Sequence, residues 1–286
     1  MDVIVGMFKL YEDYLVAVAL CLPRIYAFIA TAQVLTPGSV PRLARNAAIL
    51  IIAIPVIPVT YATVGDVERT LNSYAYFFAK EFVIGFLFGY MIGWIFWAVA
   101  AAGDLIDNQR GAAIAASIDP LQGHETSPLG NLFSQAFLTY FFSIGGFLVI
   151  LDILYTSYVM WPITKAVPII APDFPELVLG ILDFGMRTMF IIAAPVVAIM
   201  FLAEFALALV SRFAPQIQVF ILAMPIKSGI AILILIFYSS ILFPYAADRQ
   251  SYFHVYTDQL YELLEGGETL LDQQDAEERD TGDQAR

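Results

Sequence analysis

The sequence predicts an all-α, membrane-associated subunit, on three observations. Of 286 residues, 60 % are hydrophobic and only 14 % charged, whereas ordinary soluble domains carry roughly 25 % charged residues. Mean hydropathy is +0.76. Phe82–Ala102, Leu132–Leu151 and Ser228–Ala247 contain no charge at all, and each supplies the roughly 20 apolar residues that a helix needs to cross a bilayer.

In chain order, residues 1–13 form a short amphipathic lead. No basic region or cleavage site marks them as a removable signal peptide. Tyr14–Val40 reads as the first apolar helix, broken near Pro23-Arg24, and Thr36-Pro37-Gly38-Ser39 is a turn signal. Ala47–Val64 is the second helix, bent or ended at Pro55 and Pro58. The third runs from about Ser73 to Ala102. In it Glu81, Gly85, Gly89 and Gly93 recur at every fourth position and share a face. Glycines at this spacing let a neighbouring helix approach closely. Each costs roughly 1 kcal/mol of helix propensity against alanine, so a tight seam ending in a buried acid explains them better than a lipid-facing surface.

Gly103–Gly130 interrupts the apolar pattern with a sequence that resembles neither a membrane span nor a stable surface helix. Its middle is small and apolar, with Gly103, Gly111, Gly123 and Gly130 along it. Such a segment suits a narrow passage that it fills and leaves, or an ordinary re-entrant loop between helices. Ser127-Pro128 then predicts a helix start, serine as cap and proline in the first turn, and the fourth helix runs to about Leu151. Between Asp152 and Arg187 lie Pro162, Pro168, Pro172 and Pro175, which exclude one long helix. The expected organisation is therefore an N-terminal helical part (1–152), a proline-rich divider (153–187) and a C-terminal helical hairpin (188–247). After these come an amphipathic helix, stopped at Gly266-Gly267, and an acidic, disordered tail (248–286). From Asp248 onward there are 11 acidic and 3 basic residues, a net of −8 out of the chain's −12.

Arg24, Glu81, Glu204, Arg212 and Lys227 sit in or beside apolar runs. Each would cost about 2.5–3.5 kcal/mol at a bilayer centre, so they are expected to face protein, water or one another. Glu204 and Arg212 are about two turns apart, too far for a direct pair on one straight helix. Lys227 on the facing arm is the expected partner of Glu204.

Catalytic chemistry is missing. There is no phosphate-cradling loop, paired-histidine zinc motif or nucleophile elbow, two histidines cannot build a histidine-rich metal site, and no cofactor is implied. Lone Cys21 excludes an intramolecular disulfide. Without basic patches interleaved with aromatics, nucleic-acid binding is not expected.

Two stretches carry a resemblance. One is Glu81–Gly111, the glycine ladder followed by AAGDLIDNQRG, with Asp119-Pro120 beyond it. The other is Phe201–Ser228, FLAEFALALVSRFAPQIQVFILAMPIKS. Together, over about residues 5–250, they resemble the T subunit of the type III secretion export apparatus (SctT), whose flagellar counterpart is FliR. The resemblance implies a subunit of the bacterial inner membrane, at the base of a secretion apparatus. Its partners would be R-type (FliP-like) and S-type (FliQ-like) export subunits, a U-type (FlhB-like) switch protein and secreted polypeptides. It also implies an R-type fold joined to an S-type hairpin, with helices raised out of the bilayer into a closed cone. The loop at about Asp104–Gly123 would be a lumen plug, including Asp104, Asp107, Gln109, Arg110, Gly111, Ser117, Asp119 and Pro120. Gln218, where flagellar members often have asparagine, favours the injectisome branch. The rival reading is a secondary transporter of a small solute, which buried acids and proline-broken helices also suit.

Overall fold

The computed structural model describes residues 2–35, 40–65, 70–111, 127–165, 172–214 and 219–266. Among these every regular element is helical: α1 (Asp2–Ala32), α2 (Arg42–Ala53), α3 (Ile57–Val64), α4 (Leu71–Arg110), α5 (Pro128–Ser143), α6 (Gly146–Met160), α7 (Phe174–Phe213), α8 (Val219–Asp248) and α9 (251–266). Four helices are long and apolar enough to cross a membrane, or up to six if each bent pair counts as one span. The fold is thus an all-α, multi-pass membrane type.

Several boundaries differ from the sequence expectation. α1 continues through Pro23. A proline deletes one rung of the helix ladder, and the helix persists because Leu20, Cys21, Ile25 and Phe28 around it are all buried. It stops where Gln33 turns left-handed at φ 57°. α2 and α3 bend by 60° at Ile54–Val56, beside Pro55, as the prolines suggest. The expected fourth helix is instead two, α5 and α6, at 79° to each other. Gly145 makes that corner at φ 84°, a conformation open to glycine at little cost. Pro195 and Pro225 lie inside α7 and α8 without ending them.

The chain divides into two compact units. One comprises Met1–Gly93, Phe147–Ile181 and Tyr252–Arg286, the other Trp94–Gly146 and Leu182–Ser251. In the first, α1 lies against the glycine ladder of α4. A Cβ at Gly85 would collide with the Arg24 carbonyl, one at Gly89 would sit 2.5 Å from the Phe28 carbonyl oxygen, and one at Gly93 would meet Thr31. The backbones are therefore as close as bare glycine allows, the small-residue packing that apolar helices use. Phe28 on α1 and Ile84, Phe88, Met91 and Ile92 on α4 are buried beside the seam, with Phe88 packed on Tyr261 of α9. α9 adds one stripe, Phe253, Leu260 and Leu264, all buried.

In the second unit the lower half of α4 crosses the start of α5, where a Cβ at Gly103 would lie 2.6 Å from the Leu129 carbonyl oxygen. Phe96 packs on Phe137 and Phe141 at centroid distances of 5.4 and 5.2 Å, a preferred range for tilted aromatic pairs.

The seam makes a direct prediction. Gly89→Ala forces backbone apart and should cost about 1–3 kcal/mol as overpacking. Gly180→Ala, inside α7 where a Cβ meets nothing within 4 Å, should gain up to about 1 kcal/mol of helix propensity and raise the thermal midpoint of the purified protein, where Gly89→Ala lowers it.

Candidate functional site

Two ionic centres stand out in this apolar chain, one in each unit. In the first unit, Arg24 (α1), Lys80 and Glu81 (α4) are at most 2 % exposed. Arg24 grips Glu81 with both prongs, Nε to Oε2 at 2.7 Å and Nη2 to Oε1 at 2.9 Å. Its remaining donors reach the Ser157 carbonyl at 2.6 Å and the Trp161 carbonyl at 2.8 Å. The guanidinium lies 4.2 Å from the Tyr158 ring centroid, and the Tyr158 hydroxyl donates to the Cys21 carbonyl at 2.6 Å. Lys80 Nζ contacts Glu81 Oε1 at 3.0 Å, donates to the Lys165 carbonyl at 2.9 Å, and also donates to the Ile163 carbonyl. Two cations thus face one carboxylate. The surplus positive charge is met by carbonyls at and just beyond the C-terminus of α6, where a helix carries partial negative charge.

The second centre is the stem of the connection between α4 and α5. α4 runs eight residues past Ala102, to Arg110, which corrects the expectation that 103–110 belongs to an irregular loop. The polar side chains that read as loop find partners instead. Asp107, 2 % exposed, accepts from Arg110 Nε at 2.6 Å, Ser127 Oγ at 2.7 Å and the Leu129 amide at 2.8 Å. Ser127 in turn accepts from the Gly130 amide at 2.9 Å, and Pro128 follows it in the first turn. The start of α5 is thereby capped twice, by its own serine and by an aspartate from the preceding helix. Gly111, at φ 91°, closes α4 in the left-handed conformation typical just past a helix end. Lys227 of α8 donates to the Gln109 carbonyl at 2.9 Å and to Glu204 Oε2 of α7 at 3.2 Å.

Measured against the sequence reading, Glu81 and Lys227 are buried, whereas Glu204 and Arg212 are exposed. This corrects their place among the buried charges: the outer face of α7 is uncovered in the single chain. The Glu204–Lys227 contact is present, with the Glu204 side chain 50 % exposed. Asp104 lies against Gly130, Gln109 contributes its backbone carbonyl, and Gly85, Gly89 and Gly93 face α1. Ser117, Asp119 and Pro120 lie outside the described residues. Sequence reasoning missed Lys80. Its one signal is a lysine adjoining an acid inside a long apolar helix.

A family model described as bacterial export proteins, family 1, matches residues 15–251. Yop proteins translocation protein T of Yersinia pestis is 39 % identical over 232 residues, covering 80 % of this chain and 88 % of that protein. Surface presentation of antigens protein SpaR of Salmonella typhimurium is 32 % identical over 217 residues, 73 % of this chain and 78 % of its own. Flagellar biosynthetic protein FliR of Bacillus subtilis is 29 % identical over 238 residues, 81 % and 89 % of the respective chains.

Removing one member of the first centre strands buried charge. Arg24→Met should destabilise the purified protein by about 3–5 kcal/mol, while Glu204→Gln, at a half-exposed pair, should cost at most about 1 kcal/mol. Denaturation midpoints of the two variants in the same detergent provide the comparison.

Proposed function

The chain belongs to the bacterial export proteins, family 1, the structural T subunits of type III export apparatus (SctT, with FliR as flagellar counterpart), and on that premise we propose that it forms part of the wall of an export gate. Members of this family are subunits of a secretion apparatus and not enzymes. In this reading unfolded export substrates pass through a conduit lined by this chain together with R-type (FliP-like) and S-type (FliQ-like) subunits, next to a U-type (FlhB-like) switch protein, in the bacterial inner membrane. The part before the 153–187 divider takes the R-type role, and the 188–247 hairpin the S-type role.

The observation that carries this is the surface of α7 and α8. Their apolar windows are only 22 % buried, against 67 % for α4. Yet a half-exposed carboxylate, Glu204, sits among exposed Phe201, Leu202 and Phe205. Lipid is a poor cover for such a face, because a charge there costs kilocalories; other helical subunits are a good one. Helix length supports the same reading. α4 and α7 have 40 residues each, about 60 Å of helix against roughly 30 Å of hydrocarbon.

The segment 104–123 is the proposed lumen plug, blocking ions at rest and yielding to an engaged chain. Its first residues continue α4 as far as Arg110 and are tied to the start of α5 by Asp107, so in this reading the blocking role falls to residues 111–123. The injectisome branch is favoured over the flagellar one. Higher identity to the relatives named for Yop translocation and surface presentation of antigens than to FliR supports this.

Deleting residues 112–117 should raise the ion conductance of membranes carrying the assembled gate. Co-purification of the two small helical partner subunits should not change. Unaltered conductance would remove the plug from this reading, and purification of a stable, active chain alone would remove the gate.

A further inference from the structure

The stem holds two buried ionic side chains with different jobs, and one of them reaches it from outside the α4–α5 connection. Asp107 ties the last turns of α4 to the start of α5. Lys227 comes from α8, and its ammonium group is directed at a backbone carbonyl, that of Gln109, one residue before α4 ends. That carbonyl is among the last four of the helix and has no partner within it. Lys227 is 8 % exposed, so water does not readily replace it there. Its other contact, Glu204 at 3.2 Å, is longer and half exposed. One ammonium nitrogen therefore makes both contacts, the shorter one to the end of α4 and the longer one to the hairpin's other arm. Nearby, a Cβ on Gly111 would lie 3.5 Å from the Met224 side chain, one turn before Lys227 on α8. α8 thus approaches the stem with the side chain of Met224 and contacts it through the ammonium of Lys227.

We infer that Lys227 is a positioning residue that couples the α7–α8 hairpin to the stem, fixing with Asp107 the end of α4 against the start of α5. A displacement of α8 takes the cap off the Gln109 carbonyl, and the last turn of α4 then loses an anchor that Asp107 alone does not replace. An isolated surface ion pair would be satisfied by Glu204. The contact with a helix-end carbonyl makes the lysine specific to this stem. The functional consequence rests on the plug reading above, because it assigns the hairpin a hold on the segment's attachment points.

The test uses the full chain in the assembled complex. Lys227→Met should raise amide hydrogen exchange at 107–111, 129 and 130 by about tenfold or more, the scale expected for losing a charged hydrogen bond in a buried site. It should also raise ion conductance toward the level of the 112–117 deletion. Lys227→Arg should restore both. Glu204→Gln should leave stem exchange within about twofold of the parent, since the carbonyl contact survives. Should Lys227→Met fail to assemble, Lys227→Gln, which removes the charge and shortens the reach to the Gln109 carbonyl, tests the same contact, with faster exchange at 107–111 expected. Unchanged stem exchange in whichever of these variants assembles overturns the coupling, as does a Glu204→Gln variant that reproduces the full Lys227→Met effect. Faster exchange with flat conductance, in both Lys227→Met and the deletion, upholds the coupling and removes the plug reading instead.

Discussion

Carbonyls at and just past the ends of helices are the constraint that organises this chain. A helix leaves its last four acceptors unpaired, and in an apolar setting water cannot satisfy them. The protein answers by sending cations from other helices. Arg24 and Lys80 reach the carbonyl of Ser157 in the last turn of α6, which also accepts from the Trp161 amide, and those of Trp161, Ile163 and Lys165 beyond that helix, and Lys227 reaches that of Gln109 at the end of α4. In each case the cation is neutralised on its other side by a glutamate, Glu81 or Glu204. The same two-part device, cation to carbonyl and cation to carboxylate, serves both units.

The first centre also depends on the glycine ladder. Arg24 meets Glu81 at 2.7 Å because the backbones of α1 and α4 almost touch at Gly85, directly against Arg24. A larger residue at 85 would push the two helices apart and lengthen that contact. Glycine's poor helix propensity is accepted here in return for a charge pair in a space with no room for water. Ion pair and seam are thus one feature: the seam brings the charges together, and the charges fix the register of the seam.

Much of this was legible in the sequence, for identifiable reasons. The four-residue spacing of Glu81, Gly85, Gly89 and Gly93 is a statement about one helix face, and the structure places that face against α1. Ser127-Pro128 is a local start signal and needs nothing distant to act. What was not legible depends on contacts far apart in the chain. GDLIDNQR reads as loop by composition, yet it is helical because Asp107 finds Ser127 and Leu129, some twenty residues on. Pro23, Pro195 and Pro225 read as breaks, but packing along the flanking turns overrides one lost rung. Lys80 gave almost no signal, because its partners are backbone carbonyls and a carbonyl has no letter in the sequence.

The distribution of burial separates the two kinds of surface that apolar composition alone merges. α4 hides 67 % of its most apolar window inside the chain, and α7 hides 22 % of an even more apolar one. Hydropathy ranks these helices in the wrong order for burial, so the apolar residues of α7 are not explained by this chain's own core. Something else must cover them. Whatever covers them also meets Glu204, whose carboxylate is only partly answered by Lys227 at 3.2 Å. A bilayer offers that oxygen no donor, whereas a neighbouring helix with a hydroxyl, amide or cation does. On the export-gate reading proposed above, the exposed face of α7 is better matched to polypeptide than to lipid, and the chain's high hydropathy then records the demands of assembly as much as those of a membrane.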